Sequence, residues 1–61
     1  MTIFEYILFL RIQNSLPLLR EGKTVTEAAG EVGFSSPAYF GQIFKRYMKC
    51  TPGEYKLKTN R

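Results

Sequence analysis

Apolar positions crowd the first third of this chain, and there they follow a helical period twice over. Ile3, Tyr6, Ile7, Leu10 and Leu18 form one stripe, and Phe4, Leu8, Ile12, Ser15 and Leu19 form another. Phe9 and Leu16 lie between or beyond them. A helix at a protein surface needs only one apolar stripe, so this one expects neighbours on more than one side. Three short helices cannot cover it, and Phe4, Leu8, Phe9 and Ile12 are expected to be left bare. Either the chain self-associates or it is a piece of a larger protein, and the second is the preferred expectation.

The helix starts carry their own signals. Thr2-x-x-Glu5, Thr24-x-x-Glu27 and Thr51-x-x-Glu54 each fit the capping box, in which hydroxyl and carboxylate satisfy the first unpaired N–H groups. Ser36-Pro37 is a fourth start, with serine at the cap and proline at the first helical position, where its missing N–H does no harm. No segment alternates apolar and polar residues as a half-buried strand would. The pattern predicts four helices, over about 3–20, 25–32, 37–48 and 52–57. Within the first, Pro17 lacks the N–H for the Gln13 carbonyl and should kink or end the helix.

After the Gly22-Lys23 connection, the second helix is built from small residues, Ala28, Ala29 and Gly30. Gly30 costs roughly 1 kcal/mol of helix propensity, so it is expected to mark a close backbone approach. Gly33 follows Ala29 by four residues, and a further helix begins at Pro37. That is the spacing of a helix-turn-helix: the alanine sits at the crossing, and the glycine takes the left-handed conformation that ends the first helix. The second helix of the pair carries Phe40, Ile43, Phe44 and Tyr47 at core spacing. A helix presented behind a tight turn is suited to the major groove of DNA.

Composition narrows the picture. Sixty-one residues make one domain at most, with a modest core. The single cysteine, Cys50, allows no internal disulfide, and without histidine the usual zinc ligand sets cannot form, so neither metal nor cofactor is expected. The net charge of +4 is unevenly placed. Residues 1–40 carry Arg11, Arg20 and Lys23 against Glu5, Glu21, Glu27 and Glu31, a net −1, whereas residues 41–61 carry Lys45, Arg46, Lys49, Lys56, Lys58 and Arg61 against Glu54, a net +5. A basic end of this kind suits phosphate. There is no histidine, no aspartate, no clustered carboxylate pair and no phosphate-cradling glycine loop, so no enzyme is expected. The apolar run from Ile3 to Ile12 is too short to span a bilayer and is interrupted by Glu5 and Arg11. It also lacks the features of a signal peptide, so a soluble cytoplasmic protein is expected.

Taken together, Thr24-Val25-Thr26-Glu27-Ala28-Ala29, Val32-Gly33-Phe34, Ser35-Ser36, Tyr39-Phe40, Phe44-Lys45-Arg46, Thr51-Pro52 and Glu54-Tyr55-Lys56 resemble the second helix-turn-helix of the AraC/XylS-type bacterial transcription regulators. Glu5-Tyr6-Ile7, Arg11-Ile12 and Leu18-Leu19 are similar to the long connecting helix before it. The resemblance covers about residues 2–56. It implies an all-α, homeodomain-like helix-turn-helix subdomain of about four helices: a connecting helix over 1–21, the helix-turn-helix over 24–48 and a short last helix over 51–57. It also implies that the rest of a larger regulator is missing, namely the first helix-turn-helix and an effector or dimerisation domain.

The implied function is sequence-specific binding of double-stranded DNA, and RNA polymerase is a further partner that the resemblance suggests. Bases are read in such proteins from positions matching Pro37, Ala38, Gly41 and Gln42. Of these, Gln42 can make a two-point contact, typically to adenine, and Ala38 can touch a thymine methyl. Lys45, Arg46 and the N–H groups of the Ser36-Pro37-Ala38 start would hold phosphates. The implied DNA-contacting set is Ser35, Ser36, Pro37, Ala38, Tyr39, Gln42, Lys45 and Arg46, with Tyr39 either donating to the backbone or packing in the core. The competing reading is a protein-interaction module that docks through its apolar first helix. Four departures stand out. Ala28 replaces an isoleucine, Ser15 replaces an alanine, Pro17 interrupts the joining helix, and Lys49 replaces the glycine after the recognition helix. Lys49 therefore either adopts a left-handed conformation or belongs to a different turn.

Overall fold

The computed structural model describes residues 1–59 and contains α1 (Ile3–Arg20), α2 (Val25–Glu31), α3 (Pro37–Met48) and α4 (Pro52–Thr59). Among the described residues there is no strand, as the pattern predicts. The observed bounds match the expected ones except that α2 ends one residue sooner and α4 runs two residues longer. Arg61, counted with the basic end, lies outside the described residues.

All three expected capping boxes form. Glu5, Glu27 and Glu54 accept the backbone N–H of Thr2, Thr24 and Thr51 at 2.8, 2.9 and 2.8 Å, and each threonine hydroxyl accepts in return at 3.1 Å. The start of α3 is capped differently, with Ser36 Oγ accepting the Tyr39 N–H at 3.2 Å and Pro37 in the first turn.

Helix α1 is the spine, packed against α2, α3 and α4. Its Leu8, Ile12 and Leu19 join Ala28 and Ala29 of α2, Phe34 of the turn, and Phe40, Ile43 and Phe44 of α3 in one buried cluster. Phe40 and Phe44 are fully buried, each contributing about 1.5–3 kcal/mol of transfer free energy. Ser15 is equally buried, and its hydroxyl donates to the Ile12 carbonyl at 2.6 Å, so no polar atom is stranded there.

The structure corrects two expectations. Of the four apolar residues expected to be bare, Leu8 and Ile12 are buried, and Phe9 is half-buried with its ring edge-on to Tyr47 at 5.6 Å. Only Phe4 is exposed, and the uncovered stripe is instead Ile3, Tyr6, Ile7 and Leu10 on its other side. The chain thus covers the second stripe of α1 and leaves the first bare at its N-terminal half.

Gly30 marks no close approach, since a Cβ added there would meet nothing within 4 Å. The tight contact belongs to Ala28 and Ala29, whose small side chains are buried while Gly30 faces solvent. Pro17 does not end α1, which continues to Arg20. Pro17 itself is exposed. Beyond it, Leu19 is fully buried and Leu16 and Leu18 are packed against the core, which offsets the lost helical bond.

Lys49 takes the left-handed option, with φ 66° and its N–H donating to the Lys45 carbonyl at 2.9 Å. A lysine in that conformation costs about 1–2 kcal/mol that a glycine would not. Lys49→Gly should therefore raise stability by about 1 kcal/mol in urea unfolding monitored by circular dichroism. Pro17→Ala should raise it by up to about 3 kcal/mol in the same measurement, by restoring the Gln13 bond.

Candidate nucleic-acid interface

The turn between α2 and α3 is what aims the candidate surface. Gly33 adopts φ +100°, where a side chain is strained, and the Phe34 N–H closes back on the Ala29 carbonyl at 2.9 Å. Space is short there as well: a Cβ on Gly33 would lie 3.3 Å from Arg11 Cζ. Arg11 reaches across from α1 and donates from Nη1 to the Gly33 carbonyl at 3.3 Å. The turn is thus clamped from a helix 22 residues away in sequence.

Behind the turn, aromatic rings hold α3. Phe34 and Phe40 meet at 5.2 Å, Phe40 and Phe44 at 5.6 Å, and Phe44 and Tyr55 of α4 at 5.7 Å. Arg20 Nη1 donates to the Tyr55 hydroxyl at 3.0 Å, which ties α4 to the end of α1. With Phe40, Ile43 and Phe44 turned inward, the outward residues follow from the helical period: Ala38, Gln42, Lys45, Arg46 and Lys49 are all exposed. Gln42 lies near the middle of that arc, with Lys45 and Arg46 one turn beyond it.

Of the expected contact residues, Ala38, Gln42, Lys45 and Arg46 share that arc, and the set differs in freedom. Ser35, Pro37 and Ala38 are exposed, and Ser36 is half-buried with its oxygen committed to the Tyr39 N–H. Its O–H proton stays available to an acceptor. Proline has no N–H, and the Tyr39 N–H is engaged, so Ala38 offers the open backbone donor of the first turn. Tyr39 tilts its ring against Phe34 at 5.8 Å while 39% of its surface stays exposed. Arg46 is less free than Lys45, because its Nη2 lies 3.9 Å from Glu5 Oε2.

The earlier set omitted Lys49, although it continues the same face one turn past Lys45, a signal readable from spacing alone. Arg11 and Glu5 had no such signal, since their partners Gly33 and Arg46 are distant in sequence. Among the described residues, no group of histidine, cysteine or carboxylate side chains is placed to hold a metal ion, and no helix is long and apolar enough to cross a membrane.

A family described as "Helix-turn-helix domain" matches residues 1–58. The chain belongs to the AraC-type helix-turn-helix family. Among its relatives, an "Uncharacterized HTH-type transcriptional regulator YdeC" of Bacillus subtilis is 43% identical over 56 residues, covering 90% of this chain and 19% of that protein. An uncharacterized HTH-type transcriptional regulator of Pseudoalteromonas carrageenovora is 40% identical over 55 residues, covering 90% of this chain and 32% of that protein. The "HTH-type transcriptional activator RhaR" of Mannheimia succiniciproducens is 37% identical over 59 residues, covering 95% of this chain and 21% of that protein. This AraC-type chain therefore spans about a fifth to a third of the length of these relatives. No solved structure matches it.

The electrostatics of the helix starts separate α3 from the rest. Glu5, Glu27 and Glu54 are each held below the usual carboxylate value of 4.5, first by the backbone N–H and then by the hydroxyl of Thr2, Thr24 and Thr51. A carboxylate whose folded value is lowered stabilises fully above its unfolded value, and that stabilisation is lost as pH falls through the lowered one. Acidification below 4.5 should therefore fray the starts of α1, α2 and α4, whereas the serine-capped start of α3 should persist longer. Amide shifts of Glu5, Glu27, Glu54 and Tyr39, followed by NMR down through the carboxylate range, will show whether the first three move before the fourth.

Proposed function

We propose that this chain binds double-stranded DNA as the second helix-turn-helix of a bacterial transcription regulator, with α3 as the recognition helix in the major groove. One observation carries the reading. The aromatic core and the Arg11-clamped turn leave a single outward arc on α3, with Gln42 flanked by Lys45, Arg46 and Lys49. Gln42 reads a base edge, adenine by preference, and Ala38 touches a thymine methyl. Lys45, Arg46 and Lys49 hold phosphates, as do the Ala38 N–H and the hydroxyls of Ser35, Ser36 and Tyr39; Pro37 sets the helix start.

The uncovered stripe of Ile3, Tyr6, Ile7 and Leu10 fits a further part of the regulator. In this reading it packs against the first helix-turn-helix, and an effector or dimerisation domain and RNA polymerase are the other partners of the whole protein. The regulator works in the cytoplasm and catalyses no reaction. Of the four positions matching the base-reading set, Pro37, Ala38 and Gly41 have no side-chain hydrogen bond to offer, so this unit positions more than it specifies. Its affinity alone should be weaker than micromolar at physiological salt.

A salt titration on matched and single-mismatch duplexes tests the assignment. Neutralising about two to four phosphates should give a slope of roughly −2 to −4 for log affinity against log salt. Lys45→Ala should weaken binding to all duplexes about equally and lower the slope by about one. Gln42→Ala should leave the slope unchanged and, in the intact regulator, relax preference at one base pair, worth roughly 1–3 kcal/mol. If the two substitutions behave alike, or neither alters binding, α3 is not the helix in the groove.

A further inference from the structure

We propose that Glu5 is a built-in competitor for the Arg46 guanidinium, a carboxylate fixed at the edge of the α3 surface that Arg46 must leave in order to take a DNA phosphate. The proposal rests on the reading of α3 as the DNA-contacting helix. Its basis is how firmly Glu5 is held. Oε1 accepts the Thr2 N–H at 2.8 Å, the backbone carbonyl accepts the Tyr47 hydroxyl at 3.4 Å, and Glu5 N–H donates to the Thr2 hydroxyl at 3.1 Å. One turn further along α1, Phe9 packs edge-on against the same Tyr47 at 5.6 Å. The first turns of α1 are thereby docked on the C-terminal end of α3, and the second carboxylate oxygen, Oε2, faces Arg46 Nη2 at 3.9 Å.

The two partners differ in mobility. Glu5 is bound through both main chain and side chain and cannot follow Arg46. The Arg46 side chain is 65% exposed and sits at the end of a long flexible stem, one turn beyond Gln42. Among the acidic side chains, Glu5 is the one ion-paired with a residue of the outward arc of α3 among the described residues. When a phosphate approaches, the guanidinium exchanges a carboxylate for a phosphate oxygen, and Glu5 is left facing the duplex as a bare negative charge. Both consequences oppose binding held by phosphate alone, so Glu5 lowers affinity for arbitrary duplex.

An exposed ion pair of this kind is worth a few-fold in an equilibrium constant. Glutamine also serves in a capping box, so Glu5→Gln removes the charge while keeping the start of α1. On a duplex of arbitrary sequence at low salt, Glu5→Gln should tighten binding about two- to five-fold with unchanged helicity. In an Arg46→Ala background the same change should have little effect. Glu21→Gln, which removes an equal charge at the other end of α1, should do less than Glu5→Gln in either background. Equal tightening by Glu5→Gln with and without Arg46, or by Glu21→Gln, would reduce the effect to net charge and overturn the proposal, as would no tightening at all. Lys45→Ala run alongside separates the two ideas. If binding still depends on Lys45 but Glu5 and Arg46 show no coupling, the competition alone is wrong; if Lys45 has no effect, the reading of α3 falls and the competition with it.

Discussion

The ring contacts that run from Phe34 through Phe40 and Phe44 to Tyr55 are the constraint on which the rest depends. They link the turn, α3 and the last helix through edge and tilted packings that tolerate little rotation. Because Phe40 and Phe44 are fully buried one turn apart, the rotation of α3 about its axis is set. Everything outward on α3 is decided by that inward choice. Truncating Phe40 or Phe44 would cost about 3–5 kcal/mol, a large share of the stability a domain this small can have.

Helix α1 supplies the other half of the frame by addressing each neighbour with a different chemistry. Leu8, Ile12 and Leu19 bury against the cluster, Arg11 clamps the Gly33 turn, Glu5 meets Tyr47 and Arg46, and Arg20 meets Tyr55. The polar contacts are individually modest at this exposure. They do what apolar burial cannot, because burial is indifferent to direction whereas a hydrogen bond to one carbonyl fixes one turn. The same helix tolerates Pro17 because the proline itself is exposed, while the leucines beyond it are on the packed side.

Much of this was legible without coordinates. Capping is local chemistry across four residues, so Thr2, Thr24, Thr51 and Ser36 marked the helix starts directly. Gly33 announced the turn because its φ +100° suits few other residues. Where local signals misled, a longer-range contact had overridden them. Gly30 read as a packing glycine, but the crossing rests on Ala28 and Ala29; Pro17 read as a kink or a nearby end, and α1 runs past it to Arg20 with Leu19 buried. Both stripes of α1 look alike in sequence, and only the packed chain shows that Leu8 and Ile12 face inward while Ile3, Ile7 and Leu10 do not.

The sequence by itself determined the helices, their order, the turn and the polar arc of α3, because propensity, capping and period act over a few residues. Tertiary structure alone decided which stripe of α1 is covered, that Arg11 closes on Gly33, and that Glu5 stands beside Arg46. These pairs lie 22 and 41 residues apart. No rule of local spacing joins residues so distant, and their meeting follows from the angle at which three helices cross over a shared aromatic core.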